Sequence, residues 1–438
     1  MTSVDTRMVT DLTRAVQRRL EADATQRAER GQPPLLSRPA QEALAIEVLR
    51  NEFQRIDERR LAEGAARLTA EDEDELTDRV IALAVGLGPV ELLLANADVE
   101  EIVGTRHDLV FVYRSDGSVE LLEDRLWRSE AELSAWLSHL ARTAGRTERQ
   151  FNAQTPMLVM RLGEGLRLAA TRDVSQHVSF ALRRNTLGKV TIADLVGRRM
   201  LPHGVAEMLR ACMRSTEIRV VFSGPTGSGK STMVRAALSE LDPMARVVII
   251  EDTAELDLFD PALHPNVESW EERLANNEGE GAISQGQAVK HALRYRPDWL
   301  VCGEVRDSDA AVPMLKAMTH GQSSLTTVHA PTALGALDKL ALYLGTGEDR
   351  LAIDVAHHQL FQAVDFVVHL DRSPDGRRVV TEVIEIAGFD GARCTTNTIY
   401  TLDADVERTR QRLTQHHLAK LRRAGFDEQL LSSGGEWS

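Results

Sequence analysis

The run Gly224-Pro225-Thr226-Gly227-Ser228-Gly229-Lys230-Ser231 constrains the fold more than any other stretch of this chain. Its spacing, G-x-x-x-x-G-K-[ST], makes a phosphate-binding loop when a strand runs into it and a helix leaves it. Both are expected here: Ile218 to Phe222 reads as a short buried strand, and Thr232 to Leu238 as the first turns of a helix. The three glycines let backbone N–H groups curl around a phosphate chain, and the helix N-terminus adds its positive dipole end. Gly224, Pro225, Thr226, Gly227, Ser228, Gly229, Lys230, Ser231 and Thr232 are therefore the expected nucleotide-binding segment. Lys230 would reach the β- and γ-phosphates and the Ser231 hydroxyl would hold Mg²⁺. The chain has 6 lysines against 46 arginines, so composition alone does not account for a lysine at this place.

At 438 residues the chain calls for two or three domains. A net charge of −14 argues against a nucleic-acid coat or a polybasic membrane anchor. Cys212, Cys302 and Cys394 lie far apart without a C-x-x-C pair, so neither a disulfide framework nor a zinc site is expected, and a reducing cytosol suits the chain. The first residues lack the basic-then-apolar pattern of a signal peptide. The longest apolar stretch, Val80 to Leu94, is interrupted by Gly86, Gly88, Pro89 and Glu91 and is too short to span a bilayer.

Residues 1–75 read as a polar helical segment, in which Leu49, Phe53 and Ile56 form an apolar stripe that could dock a partner or pack on its own assembly. Gln32-Pro33-Pro34 breaks it, and Glu71 to Glu75 marks the first turn of a further helix. Residues 76–185 read as a mixed α/β domain, with strands at Leu109–Tyr113, Gly165–Thr171 and Val178–Leu182 and a helix within Leu126–Thr143. Residues 186–402 alternate apolar runs with helical stretches, the pattern of a largely parallel sheet. Strands are expected at Ile218–Phe222, Val247–Ile250, Trp299–Gly303, Ser324–Val328, Phe366–Leu370 and Val379–Ile386. Residues 403–438 read as a helix reaching about Gly425, then a tail.

Phosphate binding alone does not hydrolyse a nucleotide; acids must order Mg²⁺ and the attacking water. Val247 to Ile250 leads into Glu251, Asp252 and Glu255, and Trp299 to Cys302 leads through Gly303 into Glu304. Both acid groups stand at ends of expected parallel strands, where open α/β sheets place ligands. Leu325 to Val328 ends in His329, whose imidazole could report nucleotide state by exchanging one hydrogen bond.

The combination resembles the traffic ATPases of type II and type IV secretion, type IV pili and tight-adherence pili. The resemblance rests on the loop at Gly224–Ser231, an acidic "Asp box" at Ile250–Leu256, an atypical Walker B within Leu293–Arg306 ending in Gly303-Glu304, and His329. It spans roughly residues 76 to 390 and is closest to the CpaF-type, tight-adherence branch, through Gly88–Leu93, Asp98–Ile102, Arg161–Arg167 and Leu182–Arg184. It implies a mixed α/β, PAS-like N-terminal domain followed by a RecA-like ATPase domain. It also implies a hexameric ring with ATP and Mg²⁺ as cofactors, Ser231 and Glu304 serving the metal, and a polytopic inner-membrane platform as partner. The location would be cytoplasmic and peripheral to that membrane, with no direct nucleic-acid contact. The candidate catalytic residues are Lys230, Glu251 or Glu255 as the water-positioning acid, Glu304, His329, and arginines such as Arg183 and Arg273. Arg161, Arg167 and Arg184 also match arginine positions of the family pattern. His320 departs from the family's Gly-His-x-Gly opening, so no role carries over to it, and the tetracysteine insertion of type II assembly ATPases is missing.

Two other classes fit part of the pattern. A RecA-like DNA translocase or conjugation motor would share the loop and acids, and DNA-stimulated hydrolysis would mark it. A non-hydrolysing scaffold switched by nucleotide would share the loop but has less need of the acids.

Overall fold

The computed structural model describes residues 6–30, 38–143, 150–162, 165–184, 190–273, 275, 280–347, 350–403, 406–408 and 411–432. The chain divides into two units, Met1–Thr186 and Leu187–Ser438.

The first unit opens with three helices, Thr6–Glu29, Arg38–Ala62 and Ala70–Ala84. Each contributes one apolar stripe to a shared core of Val9, Leu12, Val16, Leu49, Phe53, Leu76 and Val80. Leu49 and Phe53 thus pack within their own unit, so the stripe is not a free docking face. The third helix starts as the acidic run implies: Thr69 and Asp72 form a capping box, with Glu71, Asp72 and Glu73 in the first turn. The boundary expected near residue 75 falls inside that helix, and the helical segment continues to Ala84. Gln32-Pro33-Pro34 lies outside the described residues.

A six-stranded antiparallel sheet follows: β1 (Val99–Arg106), β2 (Leu109–Arg114), β3 (Val119–Leu121), β4 (Met157–Leu162), β5 (Leu166–Thr171) and β6 (Ser179–Arg184), in the order β3-β2-β1-β6-β5-β4. Alternate residues such as Ile102, Val112, Met160, Leu168 and Leu182 face a core completed by Leu133, Leu137 and Leu140 of the helix Glu130–Thr143.

The second unit is built on nine strands: β7 (Arg219–Ser223), β8 (Val247–Glu251), β9 (Val267–Glu271), β10 (Trp299–Cys302), β11 (Ser324–Val328), β12 (Phe366–Arg372), β13 (Arg378–Phe389), β14 (Cys394–Asp403) and β15 (Val406–Arg408). Their order is β15-β14-β13-β12-β7-β11-β10-β8-β9, parallel from β9 to β12 and antiparallel beyond. Both faces are covered. Val220, Phe222, Ile249 and Val301 face one core with the helices His203–Arg214 and Lys230–Leu238. Val221, Val248, Ile250, Leu300 and Cys302 face another with Gln285–Ala292, Ser308–Thr319, Ala333–Thr346 and Ile353–Ala363. Double burial explains why these strands are unbroken apolar runs. The tail differs from expectation: residues from Asp403 do not continue as helix, because β14 reaches Asp403, β15 follows, and the helix begins only at Gln415.

Candidate active site

The loop leaving β7 takes backbone conformations that glycine accepts and other residues rarely do. Gly224, Gly227 and Gly229 have φ of 151°, 75° and 95°. Gly224 also lies so near β12 that a Cβ would stand 2.2 Å from Leu370 O. Gly229 is the N-cap of Lys230–Leu238, so the loop delivers its N–H groups directly to a helix N-terminus.

Lys230 is 7% exposed. Its Nζ donates to Gly224 O at 3.0 Å and Pro225 O at 2.9 Å, and lies 3.1 Å from His329 Nδ1. Nδ1 also lies 3.2 Å from Gly224 O, so this one nitrogen meets a donor and an acceptor, and the ring's tautomer sets which of the two it bonds. Its Nε2 stands 2.8 Å from Glu304 Oε1, at ion-pair distance but off hydrogen-bonding alignment. Burial, and secondarily Lys230, lowers the His329 pKa while Glu304 raises it, leaving a neutral imidazole between cation and carboxylate. Burial likewise lowers the Lys230 pKa. Lys230, His329 and Glu304 come together because β7, β11 and β10 are consecutive neighbours in the sheet.

The next neighbour, β8, carries the remaining acids. Glu251 is buried, and its Oε1 accepts from Glu255 N at 3.0 Å and Leu256 N at 3.2 Å. Burial pushes its carboxyl up to about 8. Spending its oxygens on two backbone amides, Glu251 orders the loop that carries Glu255. Glu255, half-buried on that loop, is the acid Glu251 positions. Gly303 is pressed between the acid loops; a Cβ there would lie 2.8 Å from Glu251 Cγ. Arg306 bridges them, with Nη1 2.5 Å from Asp252 Oδ2 and Nη2 2.9 Å from Glu304 Oε2. Gln285, with its amide oriented to satisfy both partners, donates to Glu304 O at 3.1 Å and accepts from Asp252 N at 2.8 Å.

Residues 84–423 match the family described as Type II/IV secretion system protein. The chain belongs to that family. Among its relatives, conjugal transfer protein TrbB of Rhizobium radiobacter is 33% identical over 215 residues, covering 48% of this chain and 61% of the relative. A putative conjugal transfer protein of Mycobacterium tuberculosis is 30% identical over 318 residues, covering 70% of this chain and 86% of the relative. Type IV secretion system protein VirB11 of Bartonella quintana is 31% identical over 168 residues, covering 37% of this chain and 45% of the relative. The Legionella pneumophila ATPase DotB shares the fold, with a TM-score of 0.51 at 19% identity over 68% of this chain and 81% of that one.

In this type II/IV secretion family protein, the residues fit a nucleotide-borne Mg²⁺ better than a protein-caged metal. Among the described residues no group of three or more His, Cys, Asp or Glu could hold an ion. The Ser231 hydroxyl in the first turn after the loop and the Glu304 carboxylate are hard oxygen donors, and Mg²⁺ ordinarily takes one or two such ligands beside phosphates and water.

The candidate arginines are divided between the two units. Arg183 lies on β6 of the first unit, in register with Arg167 and, through it, Arg161, with Glu101 on its other side. Arg184 donates to Leu94 O. Arg273 is exposed at a bridge to Ile283, its Nε bonded to Gly281 O. His320 caps Ser308–Thr319 at the opposite end of β11 from His329, away from the loop. Sequence reasoning missed Gln285 and the clamp made by Arg306, together with Lys339, whose Nζ donates to His329 O at 2.8 Å. It also missed Arg372 and Arg378, which approach Gly227 O. No spacing rule marks them. Among the described residues no helix is long and apolar enough to cross a membrane.

Proposed function

We propose that this chain is a Mg²⁺-dependent ATPase that works as a hexameric ring at the cytoplasmic face of the inner membrane. Through a polytopic platform protein it would drive pilus assembly of the tight-adherence type or secretion. One observation carries the reading: Lys230, His329, Glu304 and the Glu251–Glu255 loop converge at the ends of four adjacent parallel strands beside a phosphate-binding loop. Family membership supports it.

In this reading Lys230 turns from His329 to the β- and γ-phosphate oxygens, keeping its loop carbonyls. The freed imidazole then exchanges its partner on Nδ1, and the change reaches Glu304 through Nε2. Glu255 orients the attacking water and accepts its proton. Ser231 Oγ and, through water, Glu304 would hold Mg²⁺, which when bound would supply charge neutralisation at the phosphate oxygens. Arg183 or Arg273, from the first unit or a neighbouring copy, adds transition-state charge stabilisation.

The names of the TrbB and M. tuberculosis relatives favour a second reading, a motor for conjugal transfer. DNA-stimulated turnover would select it.

The test is ATP turnover across a protein concentration series with mass by light scattering, beside Lys230→Ala. Turnover rising with a hexamer-sized species and vanishing in the variant is expected. Nucleotide binding without turnover at any concentration, with or without platform protein, would overturn the motor in favour of a switch.

A further inference from the structure

Arg372 and Arg378 belong to none of the motifs above, yet both stand at the phosphate-binding loop. They face each other in register at the end of the β12–β13 hairpin. Arg378 Nε donates to Gly227 O at 3.0 Å, and Arg372 Nη2 lies 3.5 Å from the same oxygen. The stem of Arg378 crosses Gly229, where an added Cβ would sit 3.4 Å from its Cδ and 3.8 Å from its Cβ. The hairpin that presents them is tied down. Gly376 N donates to Ser373 O at 2.8 Å, Ser373 N to Arg377 O at 2.8 Å, and Val380 N to Met200 O at 2.7 Å. Arg372 Nη1 also reaches Gly376 O at 3.3 Å.

Gly227 O and the Ser228 N–H are the two ends of one peptide plane and point in opposite directions. A guanidinium on the oxygen therefore fixes where the N–H points and strengthens it as a donor. That N–H reaches Pro225 O at 3.3 Å, a long bond that an anion in the loop could replace. The same guanidinium adds positive charge beside a cradle built for phosphates.

We propose that Arg378, assisted by Arg372, is a positioning residue that holds the Gly227–Ser228 peptide toward the bound phosphate chain and sets affinity for polyphosphate, not for the nucleoside. The inference rests on the nucleotide reading of the site. It supplies that site with an arginine from its own polypeptide, fixed to the loop by geometry.

The experiment is isothermal titration of the full chain with ATP and, separately, with inorganic tripolyphosphate, both with Mg²⁺. Wild type, Arg378→Ala, Arg378→Lys and Arg372→Ala are compared, and thermal melts check folding. Arg378→Ala should lose about tenfold in affinity for both probes alike, the worth of one charge-assisted hydrogen bond. Arg378→Lys should recover part of it, and Arg372→Ala should lose less because its contact is longer. In turnover the loss should appear in KM, with kcat near wild type. Unchanged affinity in folded Arg378→Ala overturns the proposal. So does a loss confined to ATP, which would make Arg378 a nucleoside contact. Should Arg378→Ala not fold, Arg378→Gln keeps the stem and a donor without the charge; it should weaken both probes alike, and equal binding overturns the proposal as before. A wild-type chain that binds neither probe overturns the nucleotide reading and this inference with it.

Discussion

Glu251→Gln separates a carboxyl that orders a loop from one that handles water. Glu251 is 4% exposed, and burial raises it from 4.5 to about 8. The folded chain therefore keeps a proton that the unfolded chain releases above 4.5. Stability must fall as pH rises, by about 1.4 kcal/mol per pH unit, and level off once the folded carboxyl itself ionises near 8. Over that window the loss amounts to about 5 kcal/mol. Glutamine has no proton to lose. Its oxygen can accept from Glu255 N and Leu256 N as Oε1 does at 3.0 and 3.2 Å, and its NH₂ replaces only the 3.4 Å contact of Oε2. Thermal melts of both proteins from about pH 5.5 to about pH 8.5 should show the variant gaining on wild type at about 1.4 kcal/mol per unit, then a flat difference above about pH 8. ATP turnover should stay near wild type, whereas Glu255→Gln should lose about 100-fold or more while still binding ATP. Parallel stability curves would refute the buried-acid argument. Normal turnover in Glu255→Gln would refute the assignment of the water-positioning acid.

Gly303→Ala puts a methyl 2.8 Å from Glu251 Cγ in a strand end with no slack, and should cost about 1–3 kcal/mol in urea unfolding and depress turnover more than ATP binding. His417→Ala removes the imidazole held 2.7 Å from Glu385 and 2.8 Å from Asp365; Arg219 and Lys420 still pair with Asp365 and Thr414 still donates to Glu385, so the cost should be about 1–3 kcal/mol, that of one partner taken from two buried acceptors. Burial opposes it, but those carboxylates raise the His417 pKa, so its contribution is whole below its ordinary value and fades as pH rises through the raised one; the gap between wild type and variant should narrow in alkali.

What the sequence disclosed follows from burial. Strands β7, β8, β10 and β11 are covered on both faces and so are legible as apolar runs, and the acids at their tips come with them. The strand β9, Val267-Glu268-Ser269-Trp270-Glu271, lies on the sheet edge, is only partly buried, and has no such run. In β14, Thr395, Thr396, Asn397 and Thr398 hide the strand among polar residues, and the continuation to β15 displaced the expected helix. The site divides in the same way. Lys230, Glu251, Glu304 and His329 are marked by position after a strand. Gln285 acts through the backbone of two loops, and Arg378 reaches Gly227 from 151 residues away, through a hairpin register that no local pattern encodes.

The placement of β7 also bears on how the protein is made. The strand that carries the phosphate-binding loop pairs with β11 and β12, both synthesised later, and the Arg219 side chain that opens it binds Asp365, 146 residues further on. At ordinary translation rates its hydrogen-bonding edges wait on the order of ten seconds for partners to leave the ribosome. A nascent chain stopped before β12 therefore holds the whole loop sequence while one hydrogen-bonding edge of β7 and the carboxylate partner of Arg219 are still missing.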